Sequence, residues 1–118
     1  MVAITSVPRA PEWLLGVINV RGRVVPIIDL RLRLGLSPRT AELNTPVIVV
    51  QVKGRIVGLV VDRTEEVISL PPEAITPPDD LTVRARPVQA VANRNGELIL
   101  ILDLPRVVAG TEHFSTEP

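Results

Sequence analysis

The chain has 118 residues, no cysteine, and 13 acidic side chains balanced by 13 basic ones. The length suits one domain, and the absence of cysteine excludes disulfides and cysteine-bound zinc. An apolar content of 46% argues against disorder. The apolar runs are too short for a membrane span and no signal peptide is recognisable, so the expected location is the cytoplasm.

The composition favours strands. The 19 valines and ten isoleucines are β-branched and suit a pleated sheet. Twelve prolines and seven glycines separate short apolar runs, which is typical of strands joined by turns. We therefore expect an all-β fold, either a small barrel or a sandwich.

The first predicted element is a β-hairpin. Residues 16–20 and 24–28 are mostly apolar and flank a turn that contains Gly22. Pro26 cannot donate a hydrogen bond to a ladder, so the second strand should lie at a sheet edge or carry a bulge.

The next stretch predicts a short helix and a second hairpin. Asp29 suits a helix N-cap and Gly35 a helix stop, and residues 37–44 read as a polar loop. Residues 46–52 and 56–61 are nearly all apolar, so both strands of this hairpin should be buried on both faces or nearly so.

The second half of the chain contains Asn95-Gly96, the strongest short hairpin signal. This pair predicts a hairpin of residues 88–93 and 98–103. Before it, the sequence predicts a short strand at residues 65–70 and a long loop at 71–87. After it, we expect a helical turn at residues 104–109 and a disordered tail at 111–118.

No residue set for catalysis is visible. The single histidine, His113, falls in the predicted tail, and no serine has a histidine partner in the folded part. The neighbouring carboxylates of Glu65 and Glu66 would point to opposite faces of a strand. We expect no enzyme activity, no cofactor and no metal, which leaves a binding module.

Two kinds of binding partner remain open at this point. Small barrels bind nucleic acids through basic grooves and stacked aromatic rings, but the net charge is zero and only Trp13 and Phe114 are aromatic. Twelve of the 13 basic residues are arginine, whose planar fork suits protein interfaces, although genome composition would also explain this bias.

Several motifs, in order, resemble CheW-type chemotaxis coupling proteins. The most specific is VPRAPEWLLGVINVRG at residues 7–22, continued by VVPIIDLR at 24–31. Further matches lie at residues 57–62, 67–70 and 96–103, so the likeness spans residues 4–109. The same domain also ends the chemotaxis kinase, but Asp29 favours the adaptor.

The resemblance implies two intertwined SH3-like β-barrels with short helical turns, in a domain at residues 1–110. It implies a non-enzymatic adaptor that binds the cytoplasmic helical tip of chemoreceptors and the regulatory domain of the chemotaxis histidine kinase. Neither nucleic-acid binding nor membrane insertion is implied.

The family motifs also suggest protein-binding residues. Arg21 is the first candidate, with an exposed hairpin arginine as the alternative. Gly16 and Gly58 would admit a partner backbone, or serve a bulge or packing. Val67 would line an apolar groove or belong to the core, and Asn19 would brace the turn.

Family members begin with two more strands than this sequence contains. Their absence predicts that one barrel is incomplete, with an unpaired edge and an exposed apolar face. We therefore expect poor solubility, a strand-swapped homodimer, or partial order near residues 1–10. A non-functional fragment of a CheW-like domain also stays open.

Overall fold

Strands dominate the computed structural model, which describes residues 3–37 and 45–114. The strands are β1 (Leu14–Val20), β2 (Arg23–Asp29), β3 (Val47–Val52), β4 (Arg55–Val60), β5 (Ile75–Thr76), β6 (Val88–Arg94) and β7 (Glu97–Leu102). Short helices α1 (Leu30–Arg33), α2 (Leu81–Arg84) and α3 (Leu104–Val107) and the 3-10 turns Pro72–Ala74 and Glu112–Phe114 complete the described elements. None of the helices in these two ranges is long and apolar enough to cross a membrane.

The three predicted hairpins are confirmed, and all three turn in the same way. Arg21, Lys53 and Asn95 have φ values of 53°, 52° and 53°, and each is followed by a glycine with φ between 79° and 83°. Two successive positive φ values define a type I′ turn, whose twist matches that of the flanking strands.

The first of two compact units comprises residues 1–64 and 108–118. Its four-stranded sheet has the order β1-β2-β4-β3, with β2 and β4 parallel and the other pairs antiparallel. Fully buried side chains of Ile28, Val57 and Val108 form the centre of its core.

The expectation for Pro26 is wrong, because β2 is an interior strand and the bulge lies in β1, between Leu14 and Gly16. Val17 opposes Pro26 but exchanges both of its backbone hydrogen bonds with Thr5. Pro26 is therefore in a non-hydrogen-bonded pair, and its nitrogen points away from β1. Pairing with β4 starts only at Ile27, so no ladder donor is lost.

The expected burial of the second hairpin holds for β4 but is wrong for β3. All six residues of β4 are buried or half-buried, and Gly58 is among the four buried ones. β3 is an edge strand whose side chains at Val47, Ile48 and Val49 are exposed. An apolar run cannot by itself distinguish a covered strand from an uncovered one.

The second unit comprises residues 65–107 and contains the sheet β5-β6-β7, with all pairs antiparallel. Val88, Ala92 and Val107 are its buried apolar residues. The predicted strand at residues 65–70 is wrong, since these residues form no ladder with the described part of the chain. The predicted long loop contains a 3-10 turn, β5 and α2.

The predicted short helix is confirmed as α1. The Asp29 side chain accepts a hydrogen bond from the Leu32 backbone, and Gly35 follows the helix with a φ of 80°. The structure differs from the expected tail at Thr111, which is fully buried and precedes the turn Glu112–Phe114. The predicted loop at 38–44 and the tail beyond residue 114 lie outside the described residues.

Candidate functional site

One face of the four-stranded sheet carries an open apolar groove with a volume of about 410 Å³. It crosses all four strands of the first unit, and its edge strand β3 leaves Val49 67% exposed. The lining residues are Ile18, Val20, Arg21, Arg23, Val25, Ile27, Val47, Val49, Ile56 and Gly58. Exposed apolar surface of this kind is typical of a protein-binding site.

Arg21 lies in the β1–β2 turn and is one of the residues that line this groove. It is exposed, and its positive φ fixes the direction in which the side chain leaves the turn. Asn19 braces this turn, because its Oδ1 accepts a hydrogen bond of 3.0 Å from the Gly22 backbone. The third hairpin has the same arrangement, in which Asn93 accepts from Gly96 at 3.0 Å. Asn19 thus holds the turn that presents Arg21.

Arg23 is a groove residue that sequence reasoning missed. Its Nε atom is buried and has no hydrogen-bond partner among the described residues. An unsatisfied buried donor costs about 1–3 kcal/mol. The available signal was the sequence Arg21-Gly22-Arg23, which places two cations on one tight turn.

Gly58 lies on the groove floor. A Cβ atom there would sit 2.7 Å from Ile27 Cδ1 and 3.2 Å from Val47 Cγ1. Both of those side chains line the groove, so a larger residue at this position would push its walls apart. The absence of a side chain at Gly58 therefore maintains the depth of the groove, which Arg21 also lines.

Gly16 and Val67 are not part of this groove. Gly16 has a φ of 151° and lies so close to Thr5 that a Cβ atom would be 2.3 Å from its carbonyl oxygen. This agrees with the packing alternative, because the close neighbour is the chain's own backbone. Val67 belongs to the second unit and is 100% exposed, so it is not a core residue.

The described residues hold no group of three or more histidine, cysteine or acidic side chains that could bind a metal. His113 lies in the turn Glu112–Phe114, with its ring packed edge-on against Phe114 at 6.3 Å. What the groove offers instead is apolar contact and cationic hydrogen-bond donors, which is the chemistry of binding another protein.

Comparison with known proteins decides the family. The model of the CheW-like domain matches residues 1–112. This chain belongs to the CheW-like domain family. The "Chemotaxis protein CheW" of Rhizobium meliloti is 36% identical over 113 residues, which cover 92% of this chain and 71% of the relative. The Klebsiella aerogenes protein of the same name is 31% identical and covers 92% and 67%.

A solved CheW structure agrees with this result. The scaffolding protein TtCheW from Thermoanaerobacter tengcongensis superposes with a TM-score of 0.81 at 34% identity, covering 98% of this chain and 81% of that one. The two sheets and short helices match the CheW fold of two SH3-like β-barrels, which confirms the predicted fold class. Neither the nucleic-acid-binding alternative nor the fragment alternative finds support in these likenesses.

Proposed function

We propose that this CheW-like chain is a non-enzymatic chemotaxis scaffold in the cytoplasm. It couples the cytoplasmic tips of chemoreceptors to the regulatory domain of the chemotaxis histidine kinase. The observation that carries this proposal is the apolar groove with Arg21 and Arg23 at its mouth, in a chain that belongs to a scaffold family.

The groove favours a partner surface that combines apolar side chains with a carboxylate. Apolar residues of the partner would cover Val47 and Val49 and remove their exposed surface from water. A carboxylate beside them would accept hydrogen bonds from the guanidinium groups of Arg21 and Arg23, and bonds to charged groups are the stronger kind. Arginine side chains in such positions often dominate binding energy.

The other predicted residues take different roles in this proposal. Asn19 and Gly58 shape the groove without touching the partner. Gly16 acts in the packing of the first unit, and Val67 supplies a separate exposed contact on the second unit. The proposed domain extends over residues 1–110. The swapped homodimer remains a prediction.

The test is the charge reversal Arg21→Glu, measured as the affinity for the purified kinase regulatory domain and for a receptor cytoplasmic fragment. We expect at least one affinity to fall by about tenfold or more, because a desolvated arginine becomes a repelling carboxylate. Circular dichroism should show an unchanged fold, since Arg21 is exposed.

Lys53→Glu is the matched control. Lys53 occupies the same position of a type I′ turn, has a φ of 52°, and is not among the groove residues. It should leave both affinities within about twofold, as expected for a charge outside the interface. Equal effects of the two reversals, or no effect of Arg21→Glu in a folded protein, would remove Arg21 from the site.

A further inference from the structure

Arg31 in α1 binds oxygen atoms from two other parts of the first unit. Its Nε donates to the Ser37 carbonyl oxygen at 2.7 Å, and its Nη2 lies 3.3 Å from the Ser37 hydroxyl. Its Nη1 lies 3.1 Å from Asp62 Oδ2. Ser37 follows α1 and Asp62 follows β4, so one guanidinium connects the segments after these two elements. We call Arg31, Ser37 and Asp62 the Arg31 cluster.

The hydroxyl of Ser37 is accessible and its position is fixed. Ser37 is exposed, and so are Gly35 and Leu36 before it. The Leu36 backbone N–H donates to the Arg31 carbonyl at 2.9 Å, and Gly35 turns the chain with a φ of 80°. Another protein can therefore reach the Ser37 hydroxyl, which is held beside a guanidinium group.

The Arg31 cluster would respond strongly to a negative charge on Ser37. A phosphate on that oxygen adds nearly two negative charges and three acceptor oxygens. Arginine pairs with phosphate through two parallel hydrogen bonds, which are stronger than a bond to a neutral hydroxyl. Arg31 carries one positive charge, and the Asp62 carboxylate already shares it. A phosphate would therefore compete with Asp62 for the same guanidinium.

We propose that Ser37 is a phosphorylation site whose phosphate binds Arg31 in place of Asp62. A protein serine kinase would transfer the γ-phosphoryl group of ATP to Ser37 Oγ. The bond from Oγ to phosphorus forms, the bond from phosphorus to the ADP oxygen breaks, and the hydroxyl proton passes to the catalytic base of the kinase. The segment after β4 then loses its bond to α1. Neither Ser37 nor Arg31 lines the apolar groove, so this proposal does not depend on the adaptor function.

The same unit already holds an anion in a comparable place. Glu112 lies two residues after Gly110, which has a φ of 92°, as Ser37 lies two residues after Gly35. The Oε1 atom of Glu112 lies 3.7 Å from Nη2 of Arg55. An anion that pairs with arginine is thus compatible with this position after a short helix and its glycine. Phosphorylation of Ser37 would place a second such anion after α1.

The first test is a phosphorus NMR titration of the full chain with phosphoserine installed at position 37 by amber suppression. The second pKa of a free phosphoserine is about 6. Pairing with Arg31 should lower this pKa to about 5.5 or less, because an opposite charge favours the dianion. Arg31→Gln should restore the ordinary value. Arg33→Gln is the matched control and should leave the pKa lowered, since Arg33 is in the same helix but its guanidinium lies 4.8 Å from the Trp13 ring centroid.

A second test measures the exchange of partners at Arg31. Asp62→Asn should lower the urea midpoint of the unmodified chain, because it weakens the pair with Arg31. The same substitution should lower the midpoint of the phosphoserine chain by a smaller amount, since Arg31 then binds the phosphate. This comparison keeps Arg31 in place, so it decides the proposal even if Arg31→Gln does not fold.

A third measurement shows whether cells modify the site. Tandem mass spectrometry of the chain isolated from growing and from stationary cells of its natural host should find phosphate on Ser37. Unmodified Ser37 in both samples would overturn the proposal. An ordinary phosphate pKa in the folded phosphoserine chain, or equal effects of Asp62→Asn with and without the phosphate, would also overturn it. A phosphoserine chain that fails to fold contradicts it as well, because the hydroxyl is exposed.

Discussion

Among the glycines of the chain, Gly16 is the one with least room for a side chain. A Cβ atom would approach the Thr5 carbonyl oxygen to 2.3 Å and Ile4 Cγ2 to 2.7 Å. The β1 bulge and the exchange of hydrogen bonds between Thr5 and Val17 bring these backbones together. The absence of a side chain at Gly16 therefore allows the segment before β1 to pair closely with the sheet.

Gly16→Ala should lower the free energy of unfolding by about 3 kcal/mol, because overpacking adds to the cost of an unfavourable φ. Urea unfolding followed by circular dichroism measures this change. Gly22→Ala is the control, since nothing lies within 4 Å of its Cβ position and only the φ of 81° opposes the change. Its expected cost is about 1 kcal/mol. Equal costs for the two substitutions would contradict the close packing at Gly16.

Arg55 is a buried charged residue that connects β4 to the segment after α3. It starts β4, is only 6% exposed, and donates a hydrogen bond of 3.1 Å from Nη1 to Thr111 Oγ1. Its Nη2 lies 3.7 Å from Glu112 Oε1. The Thr111 hydroxyl in turn donates to the Val108 carbonyl at 2.7 Å. These contacts hold the segment after α3 against the first unit.

Glu112 makes this attachment dependent on pH. A hydrogen bond from its own backbone N–H, with further help from the Gly110 N–H and the charge of Arg55, lowers the pKa of its carboxyl despite partial burial. A carboxyl whose pKa is lower in the folded state stabilises the fold at neutral pH. That stability is lost as the pH falls below the ordinary glutamate pKa of about 4.3 and through the folded value.

Glu112→Gln should therefore reduce the melting temperature slightly at pH 7 and flatten its decline between pH 5 and pH 3. The expected loss at pH 7 is below about 1 kcal/mol, because this carboxylate is largely exposed and screened by solvent. Differential scanning calorimetry at several pH values measures both effects. An unchanged acid dependence would show that another carboxyl controls the transition.

Some properties of the strands depend only on residues that are neighbours in the sequence. Turn residues alone located the three hairpins, since an asparagine or basic residue followed by glycine accepts the two positive φ values of a type I′ turn. Which strands lie beside a given strand, in contrast, depends on residues that are distant in the sequence. Pro26 is compatible with the interior strand β2 only because of where the β4 ladder begins. The exposure of β3 depends in the same way on which strand lies beside it.

At the scale of the whole molecule, the surface combines zero net charge with exposed apolar side chains. The isoelectric point is about 6.6, and Val47, Val49 and Leu98 are among the exposed apolar residues. Net charge keeps proteins apart in solution, and its absence promotes association.

We expect the solubility of the chain to pass through a minimum near pH 6.6 and to rise on both sides of it. Static light scattering over a pH series at constant ionic strength measures this. A scattering signal that stays constant across the series would indicate that apolar contacts alone govern association.

The candidate site was only partly accessible to sequence reasoning. The motif around Arg21 identified the turn, and Asn19 was correctly expected to brace it. The groove floor joins β1 and β2 to β3 and β4, which are distant in the sequence, so Val47 and Val49 were not recognised as its members. Arg23 was missed because burial of its Nε atom arises only after the strands pack.

The sequence by itself determined the strand content, the hairpin turns, the cap of α1 and the family, because all of these depend on neighbouring residues or on motifs in order. Only the tertiary structure decided that β2 is interior, that β3 and β7 are edges, and that residues 65–70 lack a ladder. The physical reason is that burial and pairing depend on which distant strand comes alongside. An apolar strand has the same sequence pattern whether a neighbour covers it or leaves it open to a partner.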